Sequence, residues 1–201
     1  MTAPIRALIL DADGVLQHPP PGWLLGWAQM GGPRFVQEVH DQELRALTGQ
    51  EDLAPLVTEV LQRRGLDLTF QQVLDHWCRI ELDGRMLQLA DRVRAAGVLV
   101  AMGTNQNPYR GQYMLDNLPY AEHFDALFHS WQMGLAKPDP AFFHHIVDAL
   151  GVQPQEAVFV DDMAANAAAA RTAGLHGIHW SRLDTYGQLR AKLRAVGVPG
   201  L

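Results

Sequence analysis

Apolar residues cluster in four short runs, at residues 5–10, 98–102, 157–160 and 175–180. Each run is nearly continuous instead of alternating, the pattern of a strand buried on both faces in a parallel sheet. A weaker run at 126–130 lies between the second and third. From residue 86 onward, helical patterns alternate with these runs. "RMLQLADRVRAAG" is amphipathic and closes at Gly97, which fits a C′ position. "NPYRGQYMLDNL" opens with Asn107 as N-cap and Pro108 at N1, and "DPAFFHHIVDALG" repeats the device with Asp139 and Pro140. "MAANAAAARTAG" closes at Gly174. Strands alternating with helices predict a doubly wound α/β layer.

The stretch between the first run and residue 85 follows another rule. "HPPPG" reads as a stiff linker. "PRFVQEVHDQELRALTG", "LAPLVTEVLQRRG" and "TFQQVLDHWCRIE" read as three helices, the last opened by a capping box of Thr69 and Gln72. A short helix is expected from Trp23 to Met30, ahead of Gly31-Gly32. No strand is legible here. The expected organisation is a sheet-forming core from 1–16 and 86–201, with a helical unit at 17–85 inserted after the first strand.

Composition narrows the class. The formal charge is -6 with no basic tract, so a nucleic-acid footprint is not expected. Cys78 is the only cysteine and cannot form an internal disulfide, which suits a reducing compartment. No secretory pattern and no apolar run of membrane-spanning length is legible. The expectation is a cytoplasmic protein with no membrane partner; the oligomeric state is open.

Candidate chemistry gathers where the runs end. The first stops in Asp11-Ala12-Asp13-Gly14, the second in Thr104-Asn105 and the third in Asp161-Asp162. Lys137, one of two lysines in the chain, precedes the third run in "AKPDP". In a parallel α/β sheet the carboxyl ends of the strands form the ligand edge. Clustered carboxylates repel unless a cation joins them. Oxygen ligands alone select a hard ion such as Mg²⁺, which commonly shares a substrate phosphate. Thr104, Asn105 and Lys137 are then candidates to hold phosphoryl oxygens. One aspartate can attack phosphorus and the other can handle protons.

In these motifs the chain resembles the haloacid dehalogenase-like superfamily, in its phosphatase branch. The matching residues are Asp11-Ala12-Asp13-Gly14-Val15, Thr104-Asn105, Lys137 and "DDMAAN" from Asp161 to Asn166. The resemblance implies a Rossmann-like three-layer parallel sheet core with a small α-helical cap. It implies a Mg²⁺-dependent phosphatase acting on a small phosphorylated substrate, such as a sugar phosphate. Asp11 would be the nucleophile and Asp13 the general acid/base, with its carbonyl on the metal. Asp11, Asp13, Asp161 and Asp162 would form the metal set, the direct ligand among the last two being open. Dehalogenases of this fold lack the second aspartate, and phosphonate-cleaving members use a cap lysine that residues 17–85 do not contain. A phosphomutase and a non-catalytic binder of phosphorylated ligands are the alternatives.

Overall fold

The computed structural model describes residues 3–201. The chain opens with β1 (Ala7–Leu10) and a two-residue strand, β2 (Gln17–His18). Four helices follow: α1 (Trp23–Gly31), α2 (Phe35–Ala46), α3 (Leu53–Arg64) and α4 (Phe70–Trp77). Strand β3 (Glu81–Leu82) leads into α5 (Gly84–Ala95) and β4 (Leu99–Thr104). Next come α6 (Pro108–Asn117), α7 (Tyr120–His123), β5 (Ala126–His129) and α8 (Ser130–Met133). The chain closes with α9 (Pro140–Leu150), β6 (Ala157–Asp161), α10 (Ala164–Thr172), β7 (His176–His179) and α11 (Tyr186–Ala195).

The five longer strands form one parallel sheet in the order β5-β4-β1-β6-β7. Successive side chains of a strand point to opposite faces. Leu8 and Leu10 pack with Met86, Leu89 and Val93 on one face. Ala7 and Ile9 pack with Phe142, Phe143 and Ile146 on the other. Helices thus cover both faces, which is why β1 has no polar position. The architecture is the expected α/β, Rossmann-like one. The chain builds from β1 through β4 to β5, then returns to the far side of β1 for β6 and β7. That reversal opens a crevice at the carboxyl end of β1, where sheets of this kind bind ligands.

The helix starts follow local chemistry. Asn107 Oδ1 accepts the Arg110 backbone N–H at 3.0 Å, and Asp139 Oδ1 accepts that of Ala141 at 2.9 Å. Thr69 and Gln72 close a reciprocal capping box on α4. Helices α1 to α4 surround their own apolar core, including Trp27, Phe35, Val57, Val73 and Trp77.

One feature between residues 17 and 85 departs from the sequence pattern. No strand is legible there, yet Gln17 pairs with Leu82 and His18 with Glu81, antiparallel. Two residues a side cannot carry a hydrophobic period. The ribbon forms because the chain leaves the sheet and returns to it at one place. Among the described residues, no helix is long and apolar enough to cross a membrane.

Candidate active site

Strands β4, β1 and β6 are neighbours, with Leu10 in register with both Met102 and Val160. Asp11, Thr104 and Asp161 therefore emerge together at one edge. Lys137 enters this edge from the loop before α9. Its Nζ lies 2.7 Å from Asp11 Oδ1 and 2.8 Å from Asp161 Oδ2. The rings of Phe159 and Phe142 close over it, with centroids at 5.2 and 5.9 Å. The ammonium is thus shielded from water and held between two buried carboxylates.

The two adjacent aspartates have different surroundings. Asp161 is fully buried. Besides Lys137, it accepts the Met163 N–H at 2.8 Å and the Asn166 amide at 3.1 Å on each oxygen. The Asp162 carboxylate accepts no hydrogen bond among the described residues, and its nearest cation is the exposed Arg182, at 4.0 Å. Oxygens of Asp11, Asp161 and Asp162 nevertheless lie within 4.8 Å of one another. Gly14 makes this approach possible. Its φ is +80°, and a Cβ there would overlap the Asp162 carboxylate. The glycine of the first motif therefore leaves room for the acid of the last.

Three carboxylates here face one ammonium. Burial pushes the Asp11 carboxyl up to about 8, with the Asp161 charge adding to the shift and Lys137 opposing it. Burial and the Asp161 charge raise Asp162 as well. Burial opposes the charge of Lys137, but Asp11 and Asp161 outweigh it and raise its pKa. This donor set fits a hard divalent cation: oxygen ligands only, an excess of negative charge, and one carboxylate with open lone pairs. Asp11, Asp161 and Asp162 could hold it, and the Asp13 carbonyl oxygen accepts no hydrogen bond among the described residues.

The crowding has a measurable consequence. Asp11 ordinarily ionises at 3.8, but in the metal-free fold only near 8. The folded state thus holds a proton that rising pH removes, and stability is lost as pH rises through the folded value. Buried His129, lowered to about 4 from 6.5, acts in the opposite sense below 6.5. In chelator, stability is therefore expected to fall between pH 6.5 and 8. The limiting slope is about 1.4 kcal/mol per pH unit. Thermal melts across that window should show the fall in the unmodified chain and a flatter profile in Asp11→Asn. Equal slopes would remove Asp11 as its source.

Asp13 sits apart from this cluster. Arg110 grips it as a fork, with Nη1 at 2.6 Å from Oδ2 and Nη2 at 2.8 Å from Oδ1. Gln106 donates to Oδ2 at 2.7 Å and Gln17 to Oδ1 at 2.9 Å. Partial burial works against its charge, but Arg110 and these amides outweigh it and bring Asp13 down to about 2. Sequence reasoning missed all three partners. Their only local signal is the polar string Gln106-Asn107 at the start of α6.

Thr104 is buried, with its Oγ1 accepting from Gln106 Nε2 at 3.3 Å. The Asn105 side chain is engaged with the Lys137 backbone. Its Oδ1 accepts the Lys137 N–H and its Nδ2 donates to the Lys137 carbonyl, both at 2.9 Å. Asn105 therefore fixes the loop that delivers Lys137.

A family model described as haloacid dehalogenase-like hydrolase matches residues 5–174. The phosphorylated carbohydrates phosphatase of Thermotoga maritima is 23% identical over 87% of this chain and 84% of its own. Bifunctional epoxide hydrolase 2 of Sus scrofa is 27% identical over 96% of this chain, which spans only 39% of that protein. A HAD family enzyme of Bacteroides thetaiotaomicron, in complex with magnesium and inorganic phosphate, has the same fold. Its TM-score is 0.78 at 20% identity, covering 92% of this chain and 98% of that one. With most of its length matched and its acids at the ends of β1 and β6, the chain belongs to the haloacid dehalogenase-like hydrolase family.

Proposed function

We propose that this chain is a Mg²⁺-dependent phosphatase that hydrolyses a small phosphorylated metabolite through an aspartyl-phosphate on Asp11. The observation that carries the reading is the triad Asp11–Lys137–Asp161 at the strand edge, with the Asp162 carboxylate open beside it. The name of the Thermotoga maritima relative supports a phosphorylated carbohydrate as substrate.

Asp11 lies directly after the rigid end of β1, so its carboxylate is placed for in-line attack. Its oxygen bonds to phosphorus while the bond to the leaving oxygen breaks. Lys137 neutralises phosphoryl charge, and the Thr104 hydroxyl and backbone amides of this edge bind phosphoryl oxygens. A magnesium ion held by Asp11, Asp161, Asp162 and the Asp13 carbonyl would neutralise further phosphoryl charge and relieve the crowded carboxylates. Asp13 handles the protons. It protonates the leaving oxygen with a proton carried in by a monoanionic ester, then takes a proton from water. That water attacks phosphorus, the Asp11 O–P bond breaks, and inorganic phosphate leaves.

Residues 17–85 act as a cap that sets substrate choice, since none of the acids in this scheme lies there. Their buried aromatics, Trp27 and Phe35, build the cap core, which leaves exposed residues such as Arg34 to meet substrate. A panel of phosphorylated metabolites with phosphate detection tests the assignment. Turnover is expected with Mg²⁺ or Mn²⁺ and is expected to vanish in chelator. Undiminished turnover after exhaustive chelation would overturn the metal role. Isomer formation without phosphate release would reassign the chain as a phosphomutase, and no turnover of any ester would leave it a binder.

A further inference from the structure

We propose that Arg110 is a positioning residue for Asp13 that serves the second half of the reaction, the hydrolysis of the phosphorylated Asp11. The inference rests on the phosphatase reading above. Arg110 lies on α6, in the core, and is almost wholly buried. Its backbone N–H is fixed by the Asn107 cap at 3.0 Å, and its Nη1 also donates to Gln106 Oε1 at 2.7 Å. Gln106 is fixed in turn: its N–H donates to Ser130 Oγ at 3.0 Å, and Ser130 donates to the Gln106 carbonyl at 3.1 Å. Gln17 is steadied by the Tyr120 hydroxyl, which donates to its Oε1 at 2.7 Å.

Each oxygen of Asp13 therefore receives one arm of the Arg110 fork and one amide N–H. The planar fork fixes the plane of the carboxylate as well as its place, which a point charge would not do. The Asp13 side chain is still 49% exposed, so water reaches it while the fork holds it. The four donors fill the carboxylate's lone-pair sites, so Asp13 accepts a proton from water by exchanging one amide donor for that water while the Arg110 fork keeps its plane. Base catalysis depends steeply on such placement. Attack on the phosphoenzyme is the step that needs it.

The consequence is a specific kinetic signature. With 4-nitrophenyl phosphate the leaving group needs little protonation, so the first step does not call on Asp13. In Arg110→Gln, kcat is expected to fall at least tenfold and KM to fall with it, leaving kcat/KM within about threefold of the unmodified enzyme. Stopped-flow should then show a burst of nitrophenolate equal to the enzyme concentration. Arg110→Lys keeps the charge without the fork and should show the same burst with a smaller fall in kcat. The double variant Asp13→Asn/Arg110→Gln should be no slower than Asp13→Asn alone, since a positioning residue has nothing left to position.

Equal losses in kcat and kcat/KM with no burst would overturn the inference, as would additive losses in the double variant. Failure of both Arg110 variants to fold, judged by circular dichroism, would assign Arg110 to the scaffold instead. The phosphatase reading fails separately, if the unmodified protein with Mg²⁺ releases phosphate from no ester at all.

Discussion

Asp13→Asn is expected to trap a phosphoenzyme, and Asp11→Asn is expected never to form one. Asparagine at position 11 keeps the shape and can still accept from Lys137, but it has no anionic oxygen to attack phosphorus. Loss of a nucleophile should lower turnover by about 10⁴-fold or more. Unfolding does not explain such a loss, because a neutral side chain relieves the crowding that raises the Asp11 pKa to about 8. Above neutral pH in chelator, Asp11→Asn should melt higher than the unmodified chain. Asp13→Asn keeps the nucleophile and loses the proton acceptor, a defect of about 10²–10⁴-fold. With an activated aryl phosphate its first step survives while its second stalls. Intact mass should show one added phosphoryl group in Asp13→Asn alone, and peptide mapping after borohydride reduction should place it on Asp11. A label on Asp13, Asp161 or Asp162 would overturn the mechanism.

Lys137→Met carries the largest expected effect on stability. Lys137 is the only cation within reach of the buried Asp11 and Asp161 among the described residues. Methionine fills similar space but leaves the Asp161 carboxylate uncompensated, and above about pH 8 that of Asp11 as well, and breaking a buried ion pair in this way costs about 3–5 kcal/mol. For a chain of this size that is a fall in Tm of about 6–20 °C. Turnover should be lost as well, because the phosphoryl group loses its fixed cation. Added Mg²⁺ should recover more of the Tm in Lys137→Met than it adds to the unmodified chain, because a metal at the cluster also compensates Asp11. An unshifted melt in chelator would show that the two acids share a proton well enough to stand without the lysine.

How much of this was legible beforehand differs from residue to residue. The hydrophobic runs located all five sheet strands, most clearly the inner β1, β4 and β6, because burial on both faces of a parallel sheet leaves a mark on consecutive residues. Asn107, Asp139 and Thr69 marked helix starts because a cap acts on the backbone two or three residues away. Asp11, Asp161 and Asp162 could be grouped from sequence, since each follows a strand whose end lies on the ligand edge.

Partner choice among these side chains was decided elsewhere. Asp13 and Arg110 are 97 residues apart, and no period or cap signal joins them. Asn105 and Lys137, both expected to hold phosphoryl oxygens, also meet each other through the Lys137 backbone, which only the convergence of two loops could establish. The same holds for the β2–β3 ribbon, two residues a side and formed across the whole helical insert. By itself the sequence determined the five sheet strands, the capped helices and the edge that carries the acids, because those follow from interactions within a few residues along the chain. Only the tertiary structure decided that Lys137 stands between Asp11 and Asp161, that Asp162 is left open, and that Asp13 is held by Arg110. Those outcomes depend on which loops the crossing of the chain over β1 brings within hydrogen-bonding distance.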